Sequence, residues 1–230
     1  MVARLDRPQY RDIIQSVDGL ILYAPCDDRS GSIVDTKLGT SRGAVSGTIT
    51  YGARSSTPRA GTSSLQFTAQ SGARVSGTNT NLPTSATAVW SFFAWTLMPT
   101  VVTQNSSMLF GWGTPSQASG NKRYFLRFNS SVYFWGDSQD VQATVDYDVG
   151  RPNFIAATRA SSGLITVYKN GVNVGSQTRT LGATTQAWEF ARRPYFGGAT
   201  ELTAHISNFG VVNRTMTAQE LRWLYDEGVG

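Results

Sequence analysis

The side chains able to do chemistry in this chain are few and scattered. Cutting a glycosidic bond takes two carboxylates facing each other across it. The Glu residues are Glu189, Glu201, Glu220 and Glu227. Glu220 stands three residues after Thr217, the spacing of a helix capping box, and Glu227 falls in the last turn of the same expected helix. Glu189 and Glu201 have no acidic neighbour on their own strands. Asp146 and Asp148 share one face of an extended chain, but Gly150-Arg151-Pro152 follows them and marks a turn. The single histidine, His205, lies in a strand-like segment with no nucleophile elbow nearby, and reads as a hydrogen-bonded structural group. The single cysteine, Cys26, follows an apolar strand and reads as packing. No Cys/His pattern has metal-ligand spacing. The chain is therefore expected not to be an enzyme.

Binding chemistry is better represented. Calcium takes oxygen ligands from loops, and Asp27, Asp28 and Asp35 lie in one Asp/Ser/Gly-rich stretch. Asp is common in turns for its own reasons, so calcium remains a weak expectation and no other cofactor is expected. A saccharide needs flat rings with polar groups around them. Candidate glycan-binding residues are Trp112, Arg127, Tyr133, Trp135 and Asp137; Trp188, Tyr195, Arg123 and Asn129 are further possibilities of the same kind. In Val132-Tyr133-Phe134-Trp135 a strand puts Tyr133 and Trp135 on one face and Phe134 on the other. One of these sets must face a core.

Charge and hydropathy narrow the partners. The formal net charge is +5 and the isoelectric point about 9.6, which favours acidic partners. The basic residues are dispersed; Lys122-Arg123 and Arg192-Arg193 are the tightest groups. A nucleic-acid binder concentrates its positive charge, so no nucleic-acid partner is expected. No apolar run is long enough to span a bilayer, so no membrane insertion is expected. The first ten residues carry no apolar leader pattern. One cysteine excludes an intrachain disulfide.

The elements that must position these residues are mostly strands. Tyr10, Ile13, Ile14 and Val17 form one apolar helical face, predicting a short helix over 7–16 with Asp6 as cap, packed on the domain or on a neighbouring chain. Strands are expected at 20–24, 48–51, 64–67, 74–76, 89–98, 108–112, 124–129 and 132–135, with residues 27–47 as loop. Bulk on both faces of 89–98 predicts a central strand. Residues 154–159, 164–169 and 172–174 read as a meander, its second turn made by Asn170-Gly171, a pair suited to φ > 0. A last strand spans about 201–212. Thr217 and Glu220 cap a closing helix, Met216 and Leu221 staple it, and Gly228 ends it. These elements predict an all-β, two-sheet antiparallel sandwich with short N- and C-terminal helices: a helical lead-in over 1–19 and a single domain over 20–230.

Several segments follow one another in a fixed order: Leu22-Tyr23-Ala24-Pro25 with the Asp27–Gly31 loop; Ser64-Leu65-Gln66-Phe67; Trp90 to Thr96; Phe154 to Thr158 with Val167-Tyr168-Lys169-Asn170-Gly171; and Ile206 to Gly210 through Leu224-Tyr225. In this order they resemble the concanavalin A-like lectin/glucanase superfamily in its laminin-G-like branch. The resemblance implies a jelly-roll fold, which hosts lectins, glycosidases, adhesion modules and structural proteins alike. The glucanase branch has its acids close together on one strand, and this sequence lacks that motif. Tyr10 to Tyr23 also resembles the start of such domains in bacteriophage tail and capsid-surface proteins. That implies a virion-surface protein assembled in the host cytoplasm. Its partners would be other virion proteins or copies of itself, and cell-surface glycans. The alternative is a free carbohydrate-binding lectin module.

Overall fold

A computed structural model describes residues 8–34, 42–59, 62–68, 73–98, 106–113, 122–128, 131–136, 138–191 and 203–230. In chain order the elements are α1 (Tyr10–Gln15), β1 (Leu20–Ala24), β2 (Ile33–Val34), β3 (Arg42–Ser46), β4 (Ile49–Ala53), β5 (Ser64–Phe67) and β6 (Arg74–Thr78). Then come β7 (Trp90–Leu97), β8 (Ser106–Gly113), β9 (Lys122–Phe128), β10 (Ser131–Trp135), β11 (Val141–Asp146) and β12 (Pro152–Arg159). The chain closes with β13 (Leu164–Lys169), β14 (Val172–Thr178), β15 (Ala187–Phe190), β16 (Ala204–Val212) and α2 (Ala218–Val229).

Among the described residues these strands form two sheets. The first runs β14-β13-β12-β7-β16-β5-β4, with β1 also on β16; the second runs β11-β10-β9-β8-β15-β6-β3-β2. Every strand pair within them is antiparallel. This is the expected jelly-roll sandwich. β7 is the central strand that its two apolar faces predict, flanked by β12 and β16 and buried along its whole length. Trp90 and Phe92 point into the layer between the sheets, where Phe110, Trp112, Phe125, Phe134 and Phe209 meet them. Phe93 and Trp95 point the other way, into a second apolar layer under the helices with Tyr10, Ile13, Ile14, Leu221 and Leu224. The first sheet is thus covered on both faces, a case in which strands read as continuous apolar runs.

The helices explain that second layer. α1 buries Tyr10, Ile13 and Ile14, so the lead-in packs on its own chain. Its N-cap is Gln9, whose backbone N–H donates to Asp12, not Asp6, which lies outside the described residues. Thr217 and Glu220 form the capping box of α2 as the spacing requires, and Met216 and Leu221 are both buried. Gly228 does not end that helix. It lies inside it, where a Cβ would come within 2.5 Å of the Trp95 ring, so its lack of a side chain lets α2 settle on the sheet. Asn170 and Gly171 turn the β13–β14 hairpin at φ of +53° and +75°.

Other expectations give way. The stretch 27–47 contains β2 and β3. β11 and β15 are strands whose patterns the sequence obscures, and Asp146 ends β11 instead of sitting in a turn.

Candidate functional site

The second sheet has one face in the core and one that no described helix covers. On β10, Val132 and Phe134 enter the core while Tyr133 and Trp135 stand outside it, half-buried. Register does the rest. Trp135 lies opposite Tyr124 on β9, Tyr124 opposite Gly111 on β8, and Gly111 opposite Glu189 on β15. Directly opposed residues share a face, so one row runs Glu189–Gly111–Tyr124–Trp135 along the side of the sheet turned away from the core; Trp135 is half-buried and the other three are buried. A Cβ on Gly111 would come within 2.5 Å of the Tyr124 ring, so the missing side chain lets that ring lie flat along the sheet.

The polar groups around this ledge are well placed. Lys122 Nζ sits 4.2 Å from the centroid of the Trp135 ring, in the attractive range for a cation over a π face. Tyr124 OH donates to the Gly113 carbonyl at 3.1 Å. Tyr133 OH donates to Asp140 at 2.8 Å, and the other Asp140 oxygen accepts the Gly136 N–H at 2.9 Å. Burial first, and then the Asp140 carboxylate, push the Tyr133 phenol well above its ordinary range, so it stays a hydrogen-bond donor at any physiological pH. Trp135 and Tyr133 therefore offer half-buried rings at a rigid, partly dry surface, with the buried Lys122 ammonium group against Trp135 and the Asp140 carboxylate beside Tyr133. Such a surface can stack a sugar ring and hydrogen-bond its hydroxyls.

Of the expected glycan residues, Tyr133 and Trp135 are brought together. Trp112 is not among them: it has no solvent exposure and stands in the inter-sheet core, its indole N–H donating to the Pro83 carbonyl at 3.2 Å. Trp188 is likewise core. Arg127 is held in β9 opposite Ser107 and Val132, but its side chain lies outside the described residues, as do Asp137, Asn129 and Tyr195. Arg123 is buried at the sandwich end, donating to the carbonyls of Lys122 and Gly182, and burial with Arg159 nearby brings its pKa down to about 9. Lys122 and Glu189, read from the sequence only as part of a basic pair and as a lone acid, and Tyr124, not read as a site residue, are buried against these rings or in the same row. Tyr124 and Lys122 do alternate with Phe125 and Arg123, but only the β9–β10 register shows that they meet Trp135.

The acidic and nucleophilic candidates are engaged elsewhere. Asp27 pairs with Arg11 at the end of β1, Asp28 is half-buried beside it, and Asp35 lies outside the described residues. No cluster of three metal-ligating side chains occurs among the described residues. Asp148 pairs with Lys169 at 2.9 Å and Asp146 accepts from Ser131 at 3.1 Å. His205 is buried with Nδ1 2.9 Å from the Arg54 carbonyl, which makes that nitrogen the donor. Ser64 Oγ, 3.4 Å away on the same nitrogen, therefore has no base facing it. Cys26 is fully buried, and burial raises its thiol pKa, which keeps it an unreactive thiol.

Comparison with solved structures finds the same two-sheet architecture in botulinum neurotoxin domains. The serotype D binding domain superposes with a TM-score of 0.68 at 14% identity, over 93% of this chain and 52% of that one. The binding domain of serotype DC in complex with SialylT matches with a TM-score of 0.67 at 12% identity, over 92% and 52%. The same domain in complex with rat synaptotagmin II matches at 0.70 and 13%, over 94% and 52%. The chain thus spans about half the length of these neighbours, and the likeness is one of fold. No curated protein matches the sequence. The Laminin_G_3 family model matches residues 43–222, most of the chain and nearly all of the sandwich. With that match and the observed jelly roll, the chain belongs to the concanavalin A-like lectin/glucanases superfamily.

Proposed function

We propose that this chain is a non-catalytic binding module that holds saccharide on the Tyr133–Trp135 ledge. We place it on the surface of a bacteriophage virion, capsid or tail, where it docks on other virion proteins or copies of itself. The observation that carries the binding reading is the pair of half-buried rings, Tyr133 and Trp135, outside the core on the sheet that no described helix covers. Two solved complexes of one neighbour of the same fold support it, one with SialylT and one with rat synaptotagmin II. The virion setting rests on the resemblance of Tyr10–Tyr23 to phage surface proteins. The non-catalytic reading rests on the acids near the ledge: Glu189 is buried and Asp140 accepts from Tyr133 OH and the Gly136 N–H, so among the described residues no two carboxylates face each other there as hydrolysis requires.

A glycan array with and without calcium tests the proposal. Saturable binding to a defined sugar is expected, with Trp135→Ala losing at least about tenfold in affinity, the worth of one stacked ring. Absence of binding, or an undiminished Trp135→Ala variant, sinks the ledge. Loss of binding on chelation would support the calcium expectation. Release of reducing sugar that Glu189→Gln abolishes would replace the module with an enzyme.

A further inference from the structure

The opposite side of the sandwich holds a second site, and it originates in the topology of the first sheet. β16 pairs with β1 over residues 209–212 and with β5 over residues 204–206, on the same edge. Between those partners lies Asn208, at φ +55°, where the ladder to β7 also shifts register. The chain leaving β1 at Pro25 and the chain arriving before β5 diverge here, and a cavity of about 500 Å³ opens over the break. That volume lies within the range of small-molecule pockets, about 300–1,000 Å³.

The cavity is rigidly built. Its floor is Tyr23 and Asn208, locked together by a 2.5 Å hydrogen bond from the phenol to the amide oxygen. The Asn208 amide N–H donates to Thr57 Oγ1 at 2.8 Å, which ties the floor to the chain before β5. One wall is Arg59, whose guanidinium holds the carbonyls of Glu227 and Pro8 and the Glu227 carboxylate, clamping this loop to both helical segments. Arg11 and Asp27, paired and partly exposed, also line the cavity, as does Ser63. Among the described contacts, Arg11 uses one guanidinium nitrogen and Asp27 one oxygen on each other, and Ser63 Oγ makes no hydrogen bond. Donor, acceptor and hydroxyl are thus left facing the cavity beside the apolar rings of Pro25 and Pro58.

The charges decide the ligand class. Arg11 is paired with Asp27 and Arg59 with Glu227, so neither arginine brings an unpaired positive charge to an anion. Adjacent donors and acceptors suit a neutral ligand with neighbouring hydroxyls, each of which both gives and accepts a hydrogen bond. We infer that this cavity binds a neutral saccharide unit, as a second carbohydrate site independent of the Trp135 ledge.

An NMR titration of the ¹⁵N-labelled chain tests this. Lactose and N-acetylglucosamine serve as neutral probes and N-acetylneuraminic acid as the anionic one. A neutral probe is expected to shift the amides of Arg11, Asp27 and Ser63 saturably. Ser63→Trp, which adds bulk to the cavity lining, and Asp27→Asn, which keeps the shape but removes the charged acceptor, are each expected to weaken that response by at least about tenfold. Trp135→Ala is expected to leave it unchanged, which separates this site from the ledge. The inference is overturned if neither neutral probe moves these amides, or if N-acetylneuraminic acid is preferred. It is overturned equally if both folded variants titrate like the parent, or if the response vanishes with Trp135→Ala.

Discussion

A ring's worth to this molecule depends on which side of its strand it leaves. Trp112 and Trp135 are the same residue type on neighbouring parts of one sheet, yet one fills the core and the other stands at the surface. Trp112→Ala is expected to cost about 3–5 kcal/mol, because it opens a cavity among packed rings. Trp135→Ala is expected to cost about 1 kcal/mol, chiefly the cation–π contact with Lys122. Urea denaturation of the two variants checks the contrast. His205 makes a second prediction. Burial holds its pKa below the ordinary 6.5, so the fold keeps it neutral while the unfolded chain takes up a proton more readily. Its contribution to stability is complete above pH 6.5 and is lost as the pH falls below that value. The melting temperature should decline on acidification from pH 7, and His205→Gln should flatten that decline.

The C-terminal helix depends on its first turn. Thr217 Oγ1 accepts the Glu220 N–H at 3.2 Å, and the Glu220 carboxylate accepts the Thr217 N–H at 2.7 Å while pairing with Arg214. Thr217→Ala is expected to cost about 1 kcal/mol. In a chain of this length that lowers the melting temperature by roughly 2–4 °C, measurable by calorimetry. Arg214, and then the cap hydrogen bonds, bring the Glu220 carboxyl down from 4.5 to about 2. The stability this provides is complete above pH 4.5 and is lost between pH 4.5 and 2. Glu220→Gln should remove that acid-sensitive part and leave the neutral-pH cap partly intact.

Across the whole molecule there are two apolar layers, one between the sheets and one beneath the helices. Phe92 and Phe93 are consecutive residues of β7 that anchor one layer each. If α1 and α2 merely rested on a finished sandwich, Phe93→Ala would be far the milder change. Both rings are fully buried, so each substitution is expected to cost about 3–5 kcal/mol in chemical denaturation. Phe93 also packs on Gly210, where an added Cβ would come within 2.4 Å of its ring, so Gly210→Ala should disturb the same layer. Covering the first sheet in this way leaves the second sheet to present a face, and the Trp135 ledge lies there.

Much of the architecture can be read from local order. Alternation along 89–98, the Asn170-Gly171 turn and the Thr217–Glu220 box each concern residues near in the chain, where spacing alone dictates geometry. β11 and β15 escape such reading: Val141–Asp146 looks polar because half of it faces water, and Ala187–Phe190 is too short to show a period. The sites are harder still. The chain shows that Tyr133 and Trp135 share a face opposed to Phe134, but not which face is core, because that choice belongs to the partner sheet. Trp112 has the same composition-level claim to a ligand and loses it when the sheets close. The cavity at Asn208 joins segments some 200 residues apart, Arg11 and Asn208 among them, and exists only because β1 and β5 share one edge of β16. Short-range spacing sets the strands and caps; which surfaces remain open is a property of how distant strands pair.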